Sequence, residues 1–159
     1  MAVHKLHVDE FSDDRYLLFA IHSRIEDYRI AYLLNKHLGI KLERKQNDLD
    51  VDYLKSSYAI YEWDNKVEYI IWNLVSNCCV KEEEAITSTG VLFGNNNKIV
   101  KTYNLIPELK TVDYLLKISG EIYGLDEQFI LETLQKIPQI ITSYSVNPIK
   151  IKSRENIIF

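Results

Sequence analysis

Residues 112–146 follow a strand–helix–strand pattern, and this pattern restricts the fold of the chain more than any other feature of the sequence. Residues 112–119 alternate between two sets of side chains, as a strand does. Asp126 can cap a helix in which apolar side chains recur at helical spacing until Pro138 ends it. Residues 140–146 predict a further strand. The segment is therefore long enough for a right-handed crossover between two parallel strands.

Residues 16–63 contain a looser copy of the same pattern. Residues 16–22 are apolar on both alternating faces, which is typical of a central strand. Ser23 and Glu26 form the S-x-x-E pattern of a capping box, which predicts the start of a helix that Gly39 closes. We expect the inner stripe of this helix to consist of Tyr28, Ala31, Tyr32, Leu34 and Leu38.

The clearest hairpin of the sequence joins residues 57–63 to residues 67–75. Asp64-Asn65-Lys66 lies between them and contains residue types that tolerate turn geometry. The second arm is apolar on both faces, so we expect it to lie inside the sheet rather than at an edge.

These elements predict an α+β fold in which helices pack on one face of a mixed, mainly antiparallel sheet. The chain has 159 residues, of which 47% are apolar and 26% are charged. This length and composition favour one globular domain, so we expect residues 1–159 to form a single α+β domain. A ferredoxin-like arrangement is the first interpretation. The alternative is a less regular α+β sheet with extra strands from residues 3–9, 41–50 and 91–105.

Charge and cysteine content favour a soluble cytoplasmic protein. The net charge of −4 argues against general nucleic-acid binding, which needs a basic surface. Cys78 and Cys79 are adjacent, so they form neither a C-x-x-C redox pair nor a zinc knuckle, and free thiols fit a reducing compartment. The sequence shows no apolar run typical of a signal peptide or of a membrane span, so we expect no membrane contact.

Two short patterns resemble metal sites but lack essential features of them. His4 and His7 form H-x-x-H, yet residues three apart on a strand point to opposite faces. Residues 48–52 resemble the start of a calcium loop, but Tyr53 stands where that loop needs Gly and Ala59 where it needs Glu. No nucleophile, phosphate-binding or zinc-protease motif is present. The sequence therefore predicts no metal, no cofactor and no catalytic residues, and we interpret the chain as not an enzyme.

The most distinctive run of the sequence spans residues 104–114. Pro107 fixes its own φ and favours an extended Ile106, so the chain must turn there. Glu108 and Asp113 bracket this turn. In one interpretation they accept hydrogen bonds from nearby backbone N–H groups. In the other they form an acidic rim that contacts a partner together with Tyr114.

The same run resembles the signature of a known protein family. It contains all six letters that give the IPExxVDY family its name, and residues 26–36 and 152–159 also look like that family. The family comes from the Bacteroidetes lineage, and the resemblance implies no particular reaction, cofactor or catalytic residue. It marks six positions as the residues to test for binding: Ile106, Pro107, Glu108, Val112, Asp113 and Tyr114.

Tyrosine is the most abundant aromatic residue, with eleven tyrosines against five phenylalanines and two tryptophans. Tyrosine suits protein interfaces because its ring buries a large area while its hydroxyl keeps a partner. We therefore expect a non-catalytic protein-binding or regulatory module, a homodimer with a further protein partner. The alternative is a small-molecule-sensing regulatory domain, and a third hypothesis is an enzyme that uses Glu108 and Asp113.

We expect five tyrosines on inner faces: Tyr28, Tyr32, Tyr69, Tyr114 and Tyr144.

Overall fold

A computed structural model of the protein describes residues 15–84 and 98–159. The strands of these ranges are β1 (Tyr16–His22), β2 (Glu43–Arg44), β3 (Leu49–Val51), β4 (Ser56–Tyr58), β5 (Ile60–Asn65), β6 (Ile70–Ser76), β7 (Cys78–Glu84), β8 (Lys98–Asn104), β9 (Tyr114–Gly120) and β10 (Thr142–Ser145). The α-helices are α1 (Asp27–Leu38) and α2 (Glu127–Lys136). His4, His7 and the strand predicted at residues 3–9 lie outside the described residues, as do residues 91–97 of the strand predicted at 91–105, whose remainder forms β8.

The fold is α+β, with a six-stranded sheet in the order β10-β1-β9-β6-β5-β2. Each neighbouring pair of strands in this sheet is antiparallel. The sequence predicts a mixed, mainly antiparallel sheet, and the described residues contain no parallel pair. The hairpin predicted between residues 57–63 and 67–75 is confirmed by the pairing of β5 with β6, but its turn lies at residues 66–69, and Ser57 and Tyr58 belong to β4. Two smaller sheets accompany the main one, β3 with β4 and β7 with β8.

The strand–helix–strand segment β9–α2–β10 is confirmed, and a third strand separates its two strands. Ile21 of β1 pairs with Tyr114 of β9 on one side and with Ser143 of β10 on the other. Because β1 is antiparallel to both, β9 and β10 run in the same direction without bonding to each other. The apolar side chains on both faces of β1 explain why it occupies the inner position.

Helix α1 buries a different stripe from the one that its sequence predicts. Ile30, Ala31 and Leu34 are buried, whereas Tyr28 is 60% exposed and Tyr32 is 64% exposed. At about 100° per residue, Tyr28 lies about 110° and Tyr32 about 150° from the centre of this stripe, so both point away from the sheet. The prediction was therefore wrong for Tyr28 and Tyr32, and right for Ala31 and Leu34.

The start of α1 also differs from its prediction. The N-cap residue is Glu26, and its side chain makes no capping bond. The Ser23 hydroxyl instead donates to the carbonyl oxygen of Gln139, 2.7 Å away. At the other end Gly39 adopts the expected left-handed conformation, with φ of 69°. In α2 the predicted cap is confirmed, because Asp126 accepts a bond from the N–H of Phe129.

The main sheet is covered on both faces. Helices α1 and α2 pack on one face, against side chains such as Phe19, Leu74 and Leu116. The opposite face, with Leu18 and Leu115, packs against the β3–β4 sheet, residues 105–112 and the C-terminal segment. None of the described helices is both long and apolar enough to cross a membrane. The prediction of helices on one face is confirmed, and the small β3–β4 sheet and irregular segments form the second cover.

Candidate functional site

Five of the six signature residues lie in the turn between β8 and β9, and the sixth, Tyr114, is the first residue of β9. Pro107–Leu109 forms a single 3-10 turn, and Ile106 and Val112 on either side of it are completely buried. Both belong to the cluster on the sheet face opposite the helices. We call residues 106–114 the signature turn. Ile106 and Val112 are therefore part of the core, whereas Pro107 is exposed.

Asn77 holds the signature turn in place from the end of β6. Its Nδ2 donates to the carbonyl oxygens of Leu109 and Val112, at 2.8 and 2.9 Å. Its Oδ1 accepts the N–H of Ile106 at 2.8 Å. Asn77 is completely buried, and its bonds to Val112 and Ile106 are buried as well, so they satisfy backbone groups that are shielded from water. Sequence reasoning missed Asn77, because one Asn at the end of an apolar strand does not reveal its distant partners.

Glu108 fixes the C-terminal segment to the signature turn. Its Oε1 accepts the N–H groups of Lys152 and Ser153 at 2.8 and 2.9 Å, and its Oε2 accepts the Ser153 hydroxyl. These bonds favour the charged carboxylate. Chiefly through the Ser153 hydroxyl, they hold the pKa of Glu108 below its ordinary value.

Asp113 and Tyr114 fix the signature turn to the connection between β1 and α1. Oδ2 of Asp113 accepts the N–H of Ser23 at 2.9 Å, and the Tyr114 hydroxyl donates to the carbonyl oxygen of Ile25 at 2.6 Å. Tyr114 is buried as predicted, at 8% exposure. Burial raises the pKa of its hydroxyl far above the ordinary value, and the nearby Asp27 carboxylate adds to this effect.

The two carboxylates of the signature turn contact different segments. Glu108 binds residues 152 and 153, while Asp113 binds Ser23. The hydrogen bonds of the described residues do not join these carboxylates to each other. Both accept backbone N–H groups, which matches the structural interpretation of this run. The structure thus connects three segments that lie far apart in sequence.

The cysteines are free and partly buried, as predicted. Asn104 Nδ2 lies 3.3 Å from Sγ of Cys78, and burial raises the pKa of that thiol. A raised pKa leaves less thiolate, which is the reactive form. Within the described ranges, no three side chains of His, Cys, Asp or Glu are grouped as metal ligands.

No family model, curated protein or solved structure matches this chain. In this chain Leu109, Lys110 and Thr111 separate Ile-Pro-Glu from Val-Asp-Tyr. The spacing is thus three residues, one more than the two unspecified positions in the name IPExxVDY. Membership of that family is a proposal that rests on the residues alone.

A second feature lies on the outer side of α1. Tyr28, Arg29, Tyr32 and Leu33 line, together with Gln139, a groove of about 400 Å³. The tyrosines stand one helical turn apart and both are mostly exposed. We call this surface the α1 tyrosine groove. Sequence reasoning missed it because the same apolar pattern was assigned to the inner stripe of the helix.

Tyr69 and Tyr144 also differ from their predicted inner positions. Tyr69 is 72% exposed and has a positive φ of 55°, in the turn before β6. Tyr144 is 39% exposed on the edge strand β10, where its ring lies 5.8 Å from that of His22. Of the five tyrosines expected on inner faces, Tyr114 alone is buried.

Proposed function

We propose that this protein is a non-catalytic binding module that contacts another protein through the α1 tyrosine groove. The observation that carries the proposal is the exposure of Tyr28 and Tyr32, at 60% and 64%, beside Arg29. Tyrosine and arginine are enriched at protein interfaces, and they supply much of the binding energy there. The backbone of α1 already holds the two tyrosines one helical turn apart, so no backbone entropy is lost when this surface binds a partner.

The hydrogen bonds that Glu108 and Asp113 accept support a non-catalytic role for the protein. A general acid or base must be able to reach a substrate proton. Glu108 and Asp113 each accept backbone N–H groups of their own chain. These bonds favour a structural role for the two residues over an acid–base role. Direct contact between the six signature residues and a partner stays a prediction.

We propose a second copy of this chain as the partner, giving a homodimer. Two-fold contacts are the commonest form of self-association, and an isologous interface would place the tyrosines of both copies near one another. A separate regulatory protein is the other partner to consider. The test below distinguishes the two.

The experiment compares Tyr28→Ala/Tyr32→Ala with Tyr123→Ala, which removes a tyrosine that is 74% exposed outside the groove. Light scattering over a concentration series measures the mass. We expect wild type and Tyr123→Ala to dimerise and the double variant to stay monomeric. A wild type that is monomeric at every concentration would exclude the homodimer. In that case, capture of one defined protein by wild type and Tyr123→Ala, but not by the double variant, supports the separate partner.

We propose further that the core of this fold is ferredoxin-like. The elements β1, α1, β6, β9, α2 and β10 occur along the chain in the order β-α-β-β-α-β, with β2–β5 inserted before β6 and β7–β8 inserted before β9. Their strands lie in the order β10-β1-β9-β6, with every neighbouring pair antiparallel. This order supports the ferredoxin-like arrangement, with β5 and β2 as additions at one edge. A solved structure aligned on these six elements tests it.

The second candidate function is that of a small-molecule-sensing regulatory domain. A cavity between the β5–β6 hairpin and the ends of both helices favours it, because ligand sites are concave and partly apolar.

We also propose a cytoplasmic location, which the two free cysteines support. Fractionation of the native cells tests the location.

A further inference from the structure

A cavity of about 330 Å³ lies between the C-terminal end of α1, the β5–β6 hairpin and the N-terminal end of α2. Trp63 and Trp72 line it and are directly paired across β5 and β6. Phe129, from the first turn of α2, lines it as well. The volume is within the range of small-molecule sites. Three aromatic rings therefore contribute to the walls of one small cavity, which we call the tryptophan cavity.

The charged side chains that line the tryptophan cavity are both acidic. They are Glu68, from the β5–β6 turn, and Asp126, the N-cap residue of α2. The C-terminal end of α1 also borders the cavity at Leu38, and the free carbonyl groups of a helix end carry partial negative charge. The positive N-terminal end of α2 is offset by Asp126 itself. A cation is thus favoured in this cavity and an anion is not.

The position of Glu68 is fixed by its own turn. Nδ2 of Asn65 donates to Oε2 of Glu68 at 2.8 Å, and Oδ1 of Asn65 accepts the N–H groups of Val67 and Glu68. Asp126 is held likewise, since its Oδ1 accepts the N–H of Phe129 at 3.0 Å. Both carboxylates are therefore ordered before a ligand arrives, which reduces the entropy lost on binding.

Phe129 is 61% exposed although its ring is large and apolar, whereas Trp72 is only 5% exposed. The cavity thus has a buried aromatic base and an open aromatic rim. A ligand that enters it would cover the Phe129 ring. Tryptophan is the best aromatic partner for cations, because the face of its ring is the most negative.

We propose that the tryptophan cavity binds a small organic cation, in which an alkylated ammonium group contacts the aromatic rings and is neutralised by Glu68 and Asp126. This inference rests on the second candidate function and is independent of the α1 tyrosine groove. Asn65 is a positioning residue for Glu68. A neutral ligand of the same shape would gain the apolar contacts but not the attraction of the two carboxylates.

Intrinsic fluorescence gives a direct test, because the two tryptophans of the chain both line the cavity. The probes are choline, its neutral isostere 3,3-dimethylbutan-1-ol and the anion butyrate, titrated at constant ionic strength. The test variant is Glu68→Gln/Asp126→Asn, in which Asn keeps the capping ability of Asp. The matched control is Glu132→Gln, an exposed acid of α2 outside the cavity. Far-UV circular dichroism verifies the fold of each variant.

We expect choline to produce a saturable change, with the isostere binding about tenfold more weakly and butyrate not binding. The double variant should lose about tenfold in choline affinity, while Glu132→Gln should keep that of wild type. Equal affinity for choline and its isostere would overturn the cation inference but leave a small-molecule site. No saturable change with any of the three probes would overturn the inference and the second candidate function together. The comparison of probes in wild type decides the question even where a variant fails to fold.

Discussion

The carboxylate of Glu108 accepts both the backbone N–H and the hydroxyl of Ser153, 45 positions further along the chain. This contact joins the signature turn to the segment that covers the sheet face opposite the helices. Together with Asn77, Asp113 and Tyr114, it makes residues 106–114 a junction of distant segments. The predictions below test that junction and the surfaces around it.

Replacing Glu108 should destabilise the fold in a pH-dependent way. Because its pKa is lowered in the folded state, Glu108 stabilises the protein above its unfolded pKa, and this contribution is lost as the pH falls through the folded pKa. At pH 7 we expect Glu108→Gln to lose about 1 kcal/mol of unfolding free energy in urea. The difference from wild type should shrink as the pH falls below the range in which an ordinary glutamate is charged, because the charged form of Glu108 is then lost. Glu155→Gln, an exposed glutamate of the same segment, is the control and should differ from wild type by less than about 0.5 kcal/mol at pH 7.

Removing the Tyr114 hydroxyl should leave the partly buried carbonyl group of Ile25 without its partner. We expect Tyr114→Phe to lower the unfolding free energy by about 1–2 kcal/mol, measured by urea denaturation, because the bond to the Ile25 carbonyl is lost. Tyr123→Phe is the control, since that residue is 74% exposed, and it should differ from wild type by less than about 0.5 kcal/mol. Equal stability of the two variants would contradict a structural role for the Tyr114 hydroxyl.

Asn77 should be more important for stability than the carboxylates of the signature turn. Asn77→Ala removes three hydrogen bonds to buried backbone groups, so we expect a loss of about 3–5 kcal/mol in thermal or urea unfolding. Asn77→Asp should be destabilised as well. Its carboxylate would face the Leu109 and Val112 carbonyl oxygens and could not donate hydrogen bonds to them. A stable Asn77→Asp variant would show that the two donated bonds contribute little.

The two sides of α1 should respond differently to truncation. Leu34→Ala should cost about 2–5 kcal/mol, because Leu34 is completely buried against the sheet. Tyr28→Ala and Tyr32→Ala should each cost less than about 1 kcal/mol, because both side chains are mostly exposed. Urea unfolding of the monomer measures all three. A large loss of unfolding free energy in Tyr28→Ala or Tyr32→Ala would argue for the inner position that the sequence predicts.

Gly120 should tolerate no side chain. Its φ is +99°, and a Cβ atom there would lie 2.2 Å from the carbonyl oxygen of Tyr69. We expect Gly120→Ala to cost about 3 kcal/mol, from backbone strain and from the displacement of the β5–β6 turn. Gly124→Ala is the matched control, because its Cβ would meet no atom within 4 Å and its φ is not positive. Thermal unfolding of the two variants provides the comparison.

The functional surfaces were harder to predict from sequence than the fold. Pro107 and the acidic residues beside it correctly indicated a turn, and the structural interpretation of Glu108 and Asp113 agrees with their bonds to backbone N–H groups. The partners themselves, Ser23 and residues 152–153, could not be predicted because nothing in local spacing links them. The α1 tyrosine groove was missed for a related reason. An amphipathic pattern that includes tyrosines fits two orientations of a helix, and only packing against the sheet selects one.

The sequence by itself determined the local elements of this protein. The apolar residues of β1, the Asp126 cap of α2 and the left-handed Gly39 depend on neighbours within a few positions, so their patterns are readable along the chain. Only the tertiary structure decided that β1 lies between β9 and β10, that Tyr28 and Tyr32 face outward, and that Glu108 binds Ser153. Each of these depends on contacts between residues far apart in the chain. Their free energy is set by burial and by hydrogen bonds in the assembled fold, which no local pattern encodes.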